Sequence, residues 1–133
     1  MCSTRWKREQ MKQCPVFSQM RQRTPKVHCL TNPVTMQDVA NVLLAVGGSA
    51  VMAQDAAEVE EITALCDATL LNTGVPSLEK FRACTLAGVR ANGLGHPVVL
   101  DPVGAGASAF RRSQLGALLE QVRPTIIRCN QEE

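Results

Sequence analysis

The stretch Val98-Val99-Leu100-Asp101-Pro102-Val103-Gly104-Ala105-Gly106-Ala107-Ser108 decides how this 133-residue chain is read. An apolar run that ends in a carboxylate, a proline and a loop with two glycines reads as a buried strand. It delivers Asp101 to the rim of a sheet, beside backbone that a ligand can approach closely. In open α/β sheets, ligands collect beyond the carboxyl ends of parallel strands. His28-Cys29-Leu30-Thr31-Asn32-Pro33 closes an earlier apolar run in the same manner, so two strand ends are expected to converge on one crevice.

On both sides of this stretch, short apolar runs alternate with helical periods. Lys26 to Leu30, Ser49 to Ala53, Ala68 to Asn72, Pro97 to Asp101 and Pro124 to Arg128 are the strand candidates. Helices are expected from Thr35 to Gly47, with Asp38 completing an approximate capping box, and from Asp55 to about Asp67, with Val59, Ile62 and Leu65 on one face. Two more run from Ser77 to Gly93 or Gly95 and from Arg111 to Val122. This alternation predicts an α/β fold, a mostly parallel sheet flanked by helices with right-handed crossovers. Such a fold normally sends a further helix back after its fifth strand, so an end at Gln131-Glu132-Glu133 reads as truncation there.

Composition agrees with that architecture. Trp6, Phe17, Phe81 and Phe110 are the only aromatics, so the core must come from Val, Leu, Ile and Ala. The same scarcity argues against nucleic-acid binding on aromatic stacking platforms. The formal charge of +2 conceals an asymmetry: residues 1–26 hold seven of the fourteen basic side chains and one acid, Glu9. Residues 1–25 therefore read as a basic leader, helical or mobile and solvated, with an organelle transit peptide as the weaker reading. Six cysteines (Cys2, Cys14, Cys29, Cys66, Cys84, Cys129) form no Cys-x-x-Cys pair, so neither zinc nor a disulfide framework is expected. No apolar run has the length of a membrane span, and a cytoplasmic protein with no membrane partner is the simplest expectation.

Five residues could carry chemistry. Asp101 at a strand's carboxyl end can hold a hydrated Mg²⁺ or orient a hydroxyl; the alternative is a cap for the following helix. The Gly104-Ala105-Gly106 loop could cradle a phosphate, though it matches neither the P-loop nor the dinucleotide fingerprint. Asn32 can read a ligand heteroatom or simply make an Asx turn. Met52 can pack on a flat apolar ligand or fill the core. Arg128 can clamp a phosphate with Glu133 shortly after it, or both can be surface charges. His28 and His96 stand at no spacing that suggests a catalytic triad.

Six segments in order resemble the hydroxyethylthiazole kinases of the ribokinase-like superfamily. They are Val27–Thr35, Ala40–Gly47, Val51-Met52-Ala53 with Glu58–Glu61, Leu70-Leu71-Asn72-Thr73-Gly74, Leu100–Ala107 and Ile127-Arg128-Cys129-Asn130. The resemblance covers about residues 26 to 133 and makes them the N-terminal part of such a domain. It implies ATP- and Mg²⁺-dependent phosphorylation of the hydroxyl of 4-methyl-5-(2-hydroxyethyl)thiazole in thiamin biosynthesis or salvage. By the same resemblance Asn32 and Met52 line the thiazole pocket, Asp101 and Glu133 serve the metal and phosphates, and Arg128 contacts ATP. It further implies a homotrimer at full length, and a catalytic Cys beyond the end of this chain, so that no cysteine here takes that role and the chain alone is expected to be inactive. Where the family has Arg-Gly-Asn, this chain has Arg128-Cys129-Asn130. The alternative of another class is a non-catalytic thiazole- or nucleotide-binding or assembly module; a stand-alone flavodoxin-like binding domain is a third.

Overall fold

A computed structural model of the chain describes residues 15–131. The expectations for residues 1–14 of the leader and for Glu133 lie outside the described residues. The chain runs α1 (Pro15–Arg23), β1 (Lys26–Leu30), α2 (Met36–Val46), β2 (Ser49–Val51), α3 (Val59–Leu65), β3 (Ala68–Asn72), α4 (Leu78–Leu94), β4 (Val98–Asp101), α5 (Ala109–Gln121) and β5 (Ile126–Ile127). The strands form one sheet in the order β2-β1-β3-β4-β5, and every pairing is parallel. This is a doubly wound order whose direction of winding reverses between β1 and β3, the place where such folds open a crevice beyond the strand ends.

The two faces of the sheet differ. Alternate strand residues Leu30, Leu71, Val98 and Leu100 meet Val59 of α3, Phe81, Cys84, Ala87 and Ala91 of α4, and Leu118 of α5 in the buried core. Each fully buried leucine contributes about 1.5–3 kcal/mol. The intervening residues Val27, Leu70 and Val99 face the other way. With Val39, Val42 and Leu43 of α2 they line an open apolar trough of about 910 Å³. No residue of α2 is buried, so that face is only partly covered among the described residues.

Several boundaries differ from those the sequence predicts. Thr35 makes no side-chain cap on α2, so the expected capping box does not form. Its backbone N–H goes to Asn32 Oδ1, the place the Asp38 side chain would have taken, and its hydroxyl pairs with the Thr31 hydroxyl. In α3 the buried residues are Val59 and Thr63, whereas Leu65 is exposed; Asp55 spends its carboxylate on the Ala57 N–H, and α3 starts later than expected. β2 stops at Val51 because the carbonyl of Ala53 is taken by the His28 ring instead of the ladder. Ser77 and Ser108 cap α4 and α5 through the N–H groups of Lys80 and Arg111, so Asp101 is not a helix cap. Gly47 and Gly95 end α2 and α4 in the left-handed region, as glycines at helix ends do.

Two glycines of α4 separate packing from propensity. A methyl on Gly88 would meet both Val122 methyls at 2.6 Å, while one on Gly93 would meet nothing within 4 Å. Gly93→Ala should therefore stabilise the chain by about 0.5–1 kcal/mol. Gly88→Ala carries the same helical gain but an overpacking cost of about 1–3 kcal/mol. Urea unfolding of the two variants should place Gly88→Ala below Gly93→Ala by that cost; equal midpoints would show that the α4–α5 seam is loose.

Candidate functional site

Sheet register builds the site. Asn72 and Asp101 are direct partners on β3 and β4, each on the trough side of its strand with Leu70 and Val99. Asp101 Oδ2 accepts a hydrogen bond from Asn72 Nδ2 at 2.7 Å. Asn72 Oδ1 accepts from Asn32 Nδ2, just past β1, at 2.9 Å, and from the Gly74 N–H, also at 2.9 Å. On the far side Arg128 Nη1 stands 3.4 Å from Asp101 Oδ1, because Arg128 lies one residue beyond the Leu100–Ile127 register pair. A polar row, Asn32–Asn72–Asp101–Arg128, thus crosses the carboxyl ends of β1, β3, β4 and β5 at the head of the trough that all four residues line.

Burial grades along the row. Asn32 and Asn72 are each 5% exposed. The Asp101 side chain is 21% exposed and that of Arg128 67%. The outer ion pair is screened by water and contributes little to stability, whereas each inner amide bond satisfies groups that would otherwise be buried unpaired. Gly74 is required by space: a methyl there would lie 2.7 Å from Asn32 Nδ2 and 2.9 Å from Asn72 Oδ1. The next residue, Val75, has φ 51, a left-handed conformation that a β-branched side chain disfavours.

Two supports come from the covered side. Lys80, in the first turn of α4, donates from Nζ to the backbone carbonyl of Thr31 and to Gln54 Oε1, tying the carboxyl end of β1 to the loop after β2. Burial pushes its pKa down. Arg111 and Arg112 of α5 donate to the carbonyls of Val103 and Gly106. They hold the glycine loop, in which Gly104 has φ 62.

The structure therefore brings Asn32, Asp101 and Arg128 together. Asn32 makes an Asx turn, with Oδ1 accepting from Val34 N and Thr35 N, and also lines the trough; the two readings of that residue are compatible. Met52 is half-buried one residue past β2, at the sheet edge and away from the trough lining. Asn72 and Gly74, which lie in one of the segments that resemble the family but are not among the expected site residues, join the site, as does Lys80. The signal for Asn72 is its place at a strand end level with Asp101, which becomes visible only when β3 and β4 are known to be neighbours. Among the described residues no group of three His, Cys, Asp or Glu could hold a metal ion. Cys29, Cys66 and Cys84 are buried free thiols and Cys129 is an exposed one. Burial raises the thiol pKa of Cys29 and of Cys84 to about 11, so neither is a ready nucleophile.

A parallel sheet of order β2-β1-β3-β4-β5 with helices on its faces and a polar row at its switch point defines a doubly wound α/β protein. The hydroxyethylthiazole kinase family model matches residues 17–133, and the chain belongs to that family. It is 51% identical over 118 residues to a hydroxyethylthiazole kinase of Desulfovibrio desulfuricans, covering 89% of this chain and 41% of that protein. To one of Alkaliphilus oremlandii it is 45% identical over 120 residues, covering 90% and 44%. The structure of a hydroxyethylthiazole kinase protein from Pyrococcus horikoshii superposes with a TM-score of 0.83 at 41% identity, over 88% of this chain and 46% of that one. The chain thus spans less than half the length of these relatives. A receiver domain of a sensor histidine kinase from Pseudomonas aeruginosa, 18% identical with a TM-score of 0.56, shares the fold alone. No helix among the described residues is long and apolar enough to cross a membrane.

His28 is a buried structural residue. Its Nε2 donates to the Ala53 carbonyl at 2.9 Å, so Nδ1 accepts from the Thr63 hydroxyl at 2.9 Å. Desolvation lowers its pKa from 6.5. Below about 6.5 the unfolded chain then binds the proton more readily than the folded one, and stability is lost as pH falls through that value toward the lower folded one. Unfolding free energy measured from pH 7.5 to 5 should decline in wild type, and that decline should be smaller in His28→Gln. Identical pH profiles would contradict this placement of the ring.

Proposed function

We propose that this chain carries the substrate- and phosphate-facing strand ends of a hydroxyethylthiazole kinase, which moves a phosphoryl group from ATP to the hydroxyl of 4-methyl-5-(2-hydroxyethyl)thiazole. The observation that supports this most is the polar row itself. It sets an amide donor on the apolar trough, an acid beside it and an exposed guanidinium at the outer end, within one continuous hydrogen-bonded arrangement. Phosphoryl transfer depends on positioning and on neutralising charge, and those are the groups required.

In this reading Asn32 orients the thiazole alcohol against the apolar floor of Leu70 and Val99. Met52, at the β2 edge of the sheet and away from this trough, takes no part in that floor. Arg128, anchored at one end by Asp101 and otherwise in solvent, contacts the ATP phosphates. Asp101, with Glu133, serves Mg²⁺. A single carboxylate with one side chain edge in solvent fits an ion that keeps most of its waters and is held largely by phosphates, and when bound that ion would supply neutralisation of phosphate charge. The protein works in the cytoplasm in thiamin biosynthesis or salvage, as a homotrimer at full length.

Isothermal titration of the chain with ATP, with and without Mg²⁺, tests the assignment together with thermal melts. Asp101→Asn should leave Tm nearly unchanged, since an amide oxygen still accepts from Asn72. It should weaken Mg²⁺-dependent ATP binding about tenfold or more, the effect of losing a charge-assisted contact. A large loss of Tm with binding intact would make Asp101 a structural residue. ATP and thiazole alcohol bound without any transfer in the full-length protein would favour a non-catalytic binding module.

A further inference from the structure

Asn72 is the one member of the polar row without an assigned role, and its partners dictate which way its amide faces. The Gly74 N–H can only donate, so Asn72 must turn Oδ1 toward it at 2.9 Å; the Asp101 carboxylate accepts, so Asn72 must offer it Nδ2 at 2.7 Å. At Asn32 the same logic applies, because the N–H groups of Val34 and Thr35 claim Oδ1 at 3.0 and 3.3 Å. The nitrogen of Asn32 therefore faces Asn72 Oδ1, and the 2.9 Å bond between them fixes where that nitrogen sits. One N–H of Asn32 is used there. The other, on a residue that lines the trough, has no acceptor among the described residues.

We propose that Asn72 is the positioning residue of this site: it pins the Asn32 amide nitrogen-forward, so that Asn32 meets the ligand as a hydrogen-bond donor and recognises an acceptor atom on it. Gly74 belongs to the same device, since only a residue without Cβ lets the Asn32 and Asn72 amides close on each other. The choice of thiazole alcohol as ligand rests on the functional reading above. The direction of the two amides does not.

Side-chain amide NMR of the ¹⁵N-labelled chain tests the positioning directly. Asn72→Asp keeps an acceptor for Asn32 and the Gly74 N–H, while its outer oxygen shares a proton with Asp101 across the contact that Asn72 Nδ2 fills in wild type, so the bonded Asn32 amide proton should stay at its downfield position. Asn72→Leu removes the acceptor and should move the formerly bonded Asn32 proton upfield toward the position of an unbonded side-chain amide. Gly74→Ala retains every amide yet wedges a methyl between them; it should displace the Asn32 signals and serves if Asn72→Leu does not fold. Asn32 signals unmoved by both Asn72→Leu and Gly74→Ala would overturn the proposal. Titration with 4-methyl-5-(2-hydroxyethyl)thiazole supplies the second arm: Asn72→Leu and Gly74→Ala should weaken binding by roughly tenfold, the value of one well-placed hydrogen bond, while Asn72→Asp retains it. Binding equally tight in all forms would also overturn the proposal. If wild type does not bind the thiazole alcohol, the functional reading fails while the amide spectra still decide the role of Asn72.

Discussion

The hydrogen bond between Asn72 and Asp101 is the constraint on which the site depends. It exists because β3 and β4 are parallel neighbours in a register that sets Asn72 opposite Asp101. A slip of one residue would turn the slipped strand over and send its polar side chain into the core face that Leu71 and Leu100 occupy. The same register that seals the core therefore delivers the polar row. Stability and site geometry rest on one alignment, and the buried leucines enforce it far more strongly than the hydrogen bonds could alone.

The asymmetry of the sheet explains why the row is useful. Helices α3, α4 and α5 close one face with a buried apolar core against which the strands pack. The opposite face carries the apolar trough, whose floor comes from strand residues and whose one wall comes from α2. Polar groups at the head of an apolar channel can orient a ligand that is mostly hydrophobic with one or two heteroatoms. Lys80 reinforces this from the covered side. Its bond to the Thr31 carbonyl holds the residue preceding Asn32, and its other bond goes to the neutral Gln54 amide oxygen, so a partly buried cation is held by uncharged acceptors.

Much of this architecture is legible in the sequence alone. The bounds of β1 and β3 fall where the apolar runs place them, because long aliphatic runs bounded by polar turns have little freedom. Asp101, Asn32 and Arg128 all stand out as polar residues closing such runs. What escapes is whatever depends on neighbours in space. Asn72 lies in a segment that resembles the family, but its place beside Asp101 shows only once the strand order is known. The Asp38 half of the expected capping box fails because Asn32, three residues earlier, takes the Thr35 N–H it would have reached, and the expected stripe of α3 fails because Thr63, drawn inward by its bond to His28, is buried while Leu65 is exposed. The ends of β2 and β5 are short for a related reason: both are edge strands, paired on one side only, and edge pairing yields readily to a competing side chain.

The most direct test of whether a ligand is read at the carboxyl ends of β1, β3 and β4 is a crystal structure of the protein soaked with 4-methyl-5-(2-hydroxyethyl)thiazole. Ligand density is expected at the head of the trough, with an acceptor atom about 3 Å from Asn32 Nδ2. Density lodged elsewhere, or an Asn32 amide turned with its oxygen toward the ligand, would contradict this placement.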